Sequence, residues 1–187
     1  MKLRHFALIF FLISSLALNA QSNKKYKLIG GMYLHSGYLD NINNLSYGLG
    51  GKLTFGLNNY FRIGTEGYGS NSNFKKDGSF YSIGWGGILG EFIFYNTNKT
   101  NLMAGLTIGG GTNKQMNIVK LSDKVGMPDF VFWQEASTVI ISPFISLEYS
   151  ISEKANISMK FDYLISPNNK IFNSGLRIYI GCLFNMN

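Results

Sequence analysis

The stretch LSYGLGGKLTFGL, residues 45–57, decides the fold. Leu45, Tyr47, Leu49, Gly51, Leu53, Phe55 and Leu57 take every second position, while Ser46, Gly48, Gly50, Lys52, Thr54 and Gly56 fill the positions between. A period of two belongs to a β-strand, whose successive side chains point to opposite faces. One face is therefore apolar, and the other carries small polar groups around one lysine.

The pattern recurs along the chain. Residues 25–38 alternate less cleanly, with Lys27, Tyr33 and His35 on the polar phase. Asn58-Asn59 is a tight turn into a third strand, where Phe61, Ile63 and Thr65 oppose Arg62, Glu66 and Tyr68. In residues 80–95 Tyr81, Ile83 and Trp85 start on the apolar phase, yet Glu91 falls on the same phase. A bulge among Gly84–Gly90 is expected to shift the register and turn Phe92 and Phe94 outward. Strand five carries Leu102, Ala104, Leu106 and Ile108. Strand six sets Val139, Ile141, Pro143, Ile145, Leu147 and Tyr149 against Phe144 and Glu148, with a bulge or bend expected at Pro143. Strand seven opposes Ile157, Met159, Phe161 and Tyr163 to Lys160 and Asp162; strand eight opposes Leu176, Ile178, Ile180, Cys182 and Phe184 to Arg177 and Tyr179. Met116, Ile118 and Leu121, and then Phe130, Val131, Phe132 and Trp133, are strand material expected to extend strands five and six into a hairpin over residues 112–135.

Composition limits the alternatives. Aromatics make up 15% of the 187 residues and charges 14%, with 22 glycines, whereas soluble domains carry roughly 25% charge. Lys2 and Arg4 precede an apolar run, residues 6–18, that is too short to span a bilayer as a helix, which needs about 20 residues. Residues 1–20 therefore read as a cleaved signal peptide, and 21–187 as one β-barrel domain. Without that leader the net charge is about +5, but no basic helix or run suggests nucleic acid. One cysteine, Cys182, permits no internal disulfide, and His35 alone after the leader is too little for a metal cluster. No cofactor is expected.

An eight-stranded barrel holds little more than packed side chains. The bulky apolar phase is therefore assigned to lipid, and the Gly/Ser/charge phase to the lumen. Tyr26, Tyr38, Tyr47, Phe61, Tyr81, Tyr149, Tyr163 and Phe184 fall near strand ends, where aromatic girdles form. The lumen phase collects Lys27, Lys52, Arg62, Glu66, Glu148, Lys160, Asp162 and Arg177, expected to pair as a network that closes the pore. Exposed Phe130, Phe132 and Trp133 on the long hairpin are the candidate contacts for an extracellular protein partner. Lys75, Lys76, Lys114, Lys120, Lys124 and Lys170 are placed to meet lipopolysaccharide phosphates.

With its leader, eight alternating segments and short links after strands two, four and six, the chain resembles the small outer-membrane β-barrel family that includes OmpA-type and OmpX-type, porin-like proteins. The resemblance implies an all-β, eight-stranded antiparallel up-and-down transmembrane barrel in the outer membrane of a Gram-negative bacterium. It also implies contact with the barrel-insertion machinery, for which Phe184 stands near the C-terminus where the family often ends on an aromatic residue. Some members of this shape modify lipid A with an H-x-S pair. Here His35 and Ser36 are adjacent and point to opposite faces, so no catalytic residue is assigned. The function expected is structural or surface-interacting, with a narrow channel or a lipid-modifying enzyme as alternatives.

Overall fold

The computed structural model describes residues 27–39, 44–73, 79–119, 130–167, 172 and 174–186. The expected signal peptide, Tyr26, Leu121, and Lys75, Lys76, Lys120, Lys124 and Lys170 lie outside them. Eight strands follow in order: β1 Leu28–Leu39, β2 Asn44–Gly56, β3 Phe61–Asn73, β4 Phe80–Asn96, β5 Thr100–Val119, β6 Phe130–Ser150, β7 Ala155–Leu164 and β8 Gly175–Asn185. Each pairs antiparallel with the next, and β8 returns to β1, so the sheet closes. Closure removes the edges that a membrane-spanning sheet cannot leave unpaired.

Alternation sorts the side chains as the period-two reading requires. Met32, Leu49, Ile63, Ile88, Ile108, Ile145, Phe161 and Ile180 are exposed on the outer wall, while Lys52, Glu66, Ser142, Lys160 and Arg177 are buried inside. Of the proposed girdle, Tyr38, Tyr47, Phe61, Tyr149, Tyr163 and Phe184 are exposed. The shortest strands, β7 and β8, have 10 and 11 residues, the length a tilted strand needs to cross the hydrocarbon layer. Tight turns at residues 57–60, 97–99 and 151–154 mark one end.

Strand β4 departs from expectation. It pairs with β3 without interruption from Phe61↔Phe92 to Asn73↔Phe80, so no bulge lies among Gly84–Gly90; the register shifts only between Ile93 and Tyr95, on the β5 side. Tyr81, Ile83 and Trp85 are buried in the lumen on the same phase as Leu89, Glu91 and Ile93. Tyr81 is therefore not a girdle residue. The physical reason is height along the barrel. Above Ile88 the outward residues of β4 become Gly86, Gly84 and Ser82, and the apolar side chains turn in to cap the lumen.

Pro143 also differs. The β5–β6 ladder runs past it from Thr100↔Tyr149 to Val119↔Phe130 without a shift. On the other side the β6–β7 ladder stops at Phe144↔Asp162 and reappears as one bridge, Ile141↔Ile165, in the same register. Proline has no N–H to give β7, so it leaves a gap in the ladder rather than a bulge.

Candidate functional site

Among the described residues the buried charge gathers in the lumen, which fills in layers. Near the short-turn end Lys52 of β2, Arg62 of β3, Glu91 of β4 and Glu148 of β6 converge. Lys52 Nζ donates to Glu91 Oε1 at 2.7 Å and to Glu148 Oε1 at 3.1 Å. Arg62 Nη1 donates to Glu148 Oε2 at 2.8 Å and lies 3.9 Å from Glu91 Oε2. Two bases and two acids, all buried, compensate one another, which is the condition for keeping charge out of water.

The next layer is built on Lys160. Its Nζ sits 2.7 Å from both carboxylate oxygens of Glu66 and 3.8 Å from Asp162 Oδ2. Glu66 also accepts from Thr107 Oγ1 at 2.6 Å and from the Tyr68 hydroxyl at 3.1 Å. Asp162 accepts from Ser142 Oγ at 2.9 Å and the Tyr179 hydroxyl at 2.8 Å. The Lys160 ammonium lies 4.3 Å from the Phe144 ring centroid and 5.0 Å and 5.2 Å from those of Tyr179 and Tyr68. Rings thus enclose the cation on the sides its carboxylates leave open. Such bulk fits because the paired residue on the adjoining strand is glycine, Gly50 beside Tyr68 and Gly105 beside Phe144: a Cβ on either would collide with the ring.

Above this, His35 stacks on Tyr179 at 5.0 Å between centroids, with Nε2 3.3 Å from the Gly69 carbonyl. The ring is walled in, and Ser36 faces the opposite way. Arg177 lies across the strands from Asp162 and Gly37, with its guanidinium carbon 5.4 Å from the Trp85 ring centroid. Leu39, Tyr81, Ile83, Ile140, Leu164 and Phe172 are buried in one cluster that caps this end.

Of the predicted lumen residues, the ion pairs join Lys52, Arg62, Glu66, Glu148, Lys160 and Asp162. Arg177 is buried but has no carboxylate within 4 Å among the described residues. Lys27 stands ahead of β1 at the rim. Lys52 and Glu66 are cross-strand neighbours, yet each pairs elsewhere. The sequence reading missed Glu91, because it shared a phase with Tyr81, Ile83 and Trp85. An acid on that phase was itself the signal that this phase faces inward along the whole strand. Phe130, Phe132 and Trp133 are exposed on the extension of β6. Lys114 is exposed too, and pairs with Glu135 at 3.5 Å.

No protein-family model and no curated protein matches the chain. Solved structures do. Neisserial surface protein A aligns over 87% of this chain and 97% of its own, at 9% identity and a TM-score of 0.57. Ail, the attachment invasion locus protein of Yersinia pestis, aligns over 86% and 96% at 11% identity and 0.54. The N-terminal β-barrel domain of Pseudomonas aeruginosa OprF aligns over 87% and 98% at 13% identity and 0.51. The fold is that of the small outer-membrane β-barrels. At these identities the likeness is one of backbone, and the lumen network is read from this chain alone.

Proposed function

We propose that this chain is a non-enzymatic outer-membrane protein of a Gram-negative bacterium, a closed barrel whose β5–β6 hairpin engages an extracellular protein partner. In this reading the short turns face the periplasm and the hairpin projects outward, with lipid around the wall, lipopolysaccharide beside the outer rim, and the barrel-insertion machinery as a partner during assembly. The filled, charge-compensated lumen supports closure. The enclosed His35, whose Nε2 faces a backbone carbonyl and whose neighbour Ser36 points away, supports a reading without catalysis.

The observation that carries the interaction role is the upper edge of β6. Above Ile141↔Ile165 no strand among the described residues pairs with β6 on the β7 side. Residues 130–137 therefore present backbone N–H and C=O groups, with Phe130, Val131, Phe132 and Trp133 each more than half exposed. An exposed apolar edge without proline or lysine lacks the usual protections against strand addition. Ail and Neisserial surface protein A, whose names speak of attachment and of the surface, are built on the same fold.

Replacing residues 117–132 by a tight turn tests the role. Heat-dependent gel mobility should show an intact barrel, and adhesion of bacteria carrying the variant to host-cell or matrix surfaces should drop. Adhesion equal to that of the parent refutes the hairpin's role. In planar bilayers the parent should show no steady conductance; discrete openings would replace closure by the narrow-channel reading.

A further inference from the structure

The short-turn end holds a cavity of about 620 Å³, within the range of small-molecule sites. Its lining includes Lys27, Arg62, Asn59, Asn96, Asn98 and Asn101, with no aspartate or glutamate among the described residues. Two cations and a ring of carboxamides thus share one concave surface. Glu148, held by Arg62 at 2.8 Å, belongs to the lumen side of the plug and is not part of that lining.

Two further observations point to an occupant. Burial, and after it the nearby Arg62 guanidinium, hold the Lys27 ammonium below its ordinary pKa, against a smaller opposing pull from Glu148. Like charges pressed together in a partly desolvated hollow favour a negative ligand between them. Asn101 stands on the same lining, and its Oδ1 has no hydrogen-bond partner among the described residues, a need that a hydroxyl or amide N–H reaching it would meet. A ligand meeting both demands carries one acidic group and several hydroxyls.

We propose that the short-turn mouth binds a small acidic sugar, its carboxylate between Lys27 and Arg62 and its hydroxyls on the asparagine rim. The outer-membrane reading decides only that this mouth opens to the periplasm; the chemistry of the site stands without it. A bare anion would use the cations and waste the amides, and a neutral sugar would do the reverse.

The test is a calorimetric or NMR titration of the folded barrel in lipid nanodiscs with glucuronate, glucose and acetate. Glucuronate should bind about tenfold more tightly than either of the others, the value of one well-made charge-assisted contact. Lys27→Gln at the rim should weaken glucuronate about tenfold, and Asn98→Asp should do so by repulsion. Lys154→Gln, outside the lining, should leave affinity unchanged. Both lining variants lie outside the strands, and heat-dependent mobility reports whether they fold. Equal binding of glucose refutes the cationic half of the proposal, equal binding of acetate refutes the sugar half, and an unaltered Lys27→Gln titration refutes the location. None of these results bears on the hairpin's partner role.

Discussion

Glu148→Gln puts the lumen network to its sharpest test. The carboxylate is 1% exposed and receives Lys52 at 3.1 Å and Arg62 at 2.8 Å. The amide leaves both bases sharing Glu91, at 2.7 Å and 3.9 Å, so one buried positive charge goes uncompensated. Removing one partner of a buried pair costs about 3–5 kcal/mol, whereas an exposed pair would lose under about 1 kcal/mol. Adding Lys52→Met restores neutrality, with Arg62 and Glu91 left as the remaining pair. The double variant should therefore lose less than the two single losses combined, with a coupling of about 2 kcal/mol. Equilibrium urea unfolding from lipid vesicles, followed by tryptophan fluorescence and gel mobility, measures all four corners of the cycle. Single variants within about 0.5 kcal/mol of the parent, or strictly additive losses, would mean that these charges are solvated and close nothing.

Three shorter predictions follow from the walls. Gly50→Ala sets a Cβ against the Tyr68 ring and the Gly67 carbonyl, whereas Gly90→Ala meets nothing within 4 Å; urea midpoints should show a loss of about 1–3 kcal/mol for the first and none for the second. Phe172→Ala removes a fully buried ring from the cap and should cost about 3 kcal/mol by the same measure. Cys182 is exposed on the outward phase of β8 between Ile180 and Phe184. In vesicles it should react with an apolar maleimide and resist a charged one, and equal rates would contradict its lipid-facing position.

Much of the barrel was legible because a period of two survives any error in strand ends. Lys160 and Asp162 announced themselves as charges between apolar neighbours, Lys52 and Glu66 as charges on a phase of small or polar residues, and their inward position followed from alternation. Their partners did not, because pairing across a lumen depends on which side chains lean up or down. Lys52 passes over its cross-strand neighbour Glu66 to reach Glu91 and Glu148. Alternation reports a face and carries no information about height. The same lack hid the position of Arg177, which shares the lumen phase with the paired residues while its guanidinium lies over Trp85 and within 4 Å of no carboxylate among the described residues. Phe172 was hidden for another reason: it sits outside any strand, where no period marks it.

The inversion on β4 has a physical origin that also locates the membrane boundary. Outward residues joined across β4, β5 and β6 rise as Ile88, Ile108 and Ile141, then Gly86, Gly110 and Val139, then Gly84, Thr112 and Ser137, then Ser82, Lys114 and Glu135. The wall changes from isoleucine to an ion pair within four rows. Over the same height the inner side gains Trp85, Ile83, Tyr81, Ile140 and Phe172. Below the boundary lipid takes the apolar face and the lumen takes the charges; above it water takes the polar face and the apolar side chains pack inward as in a soluble sheet. The strand keeps its register while its solvent changes. A lysine scan along β5 tests this directly. Ile108→Lys should destabilise the barrel by about 2–4 kcal/mol, and Thr112→Lys, two rows higher, by about 1 kcal/mol or less. Equal costs at the two positions would put both in the same medium, and the inversion of β4 would lose its cause.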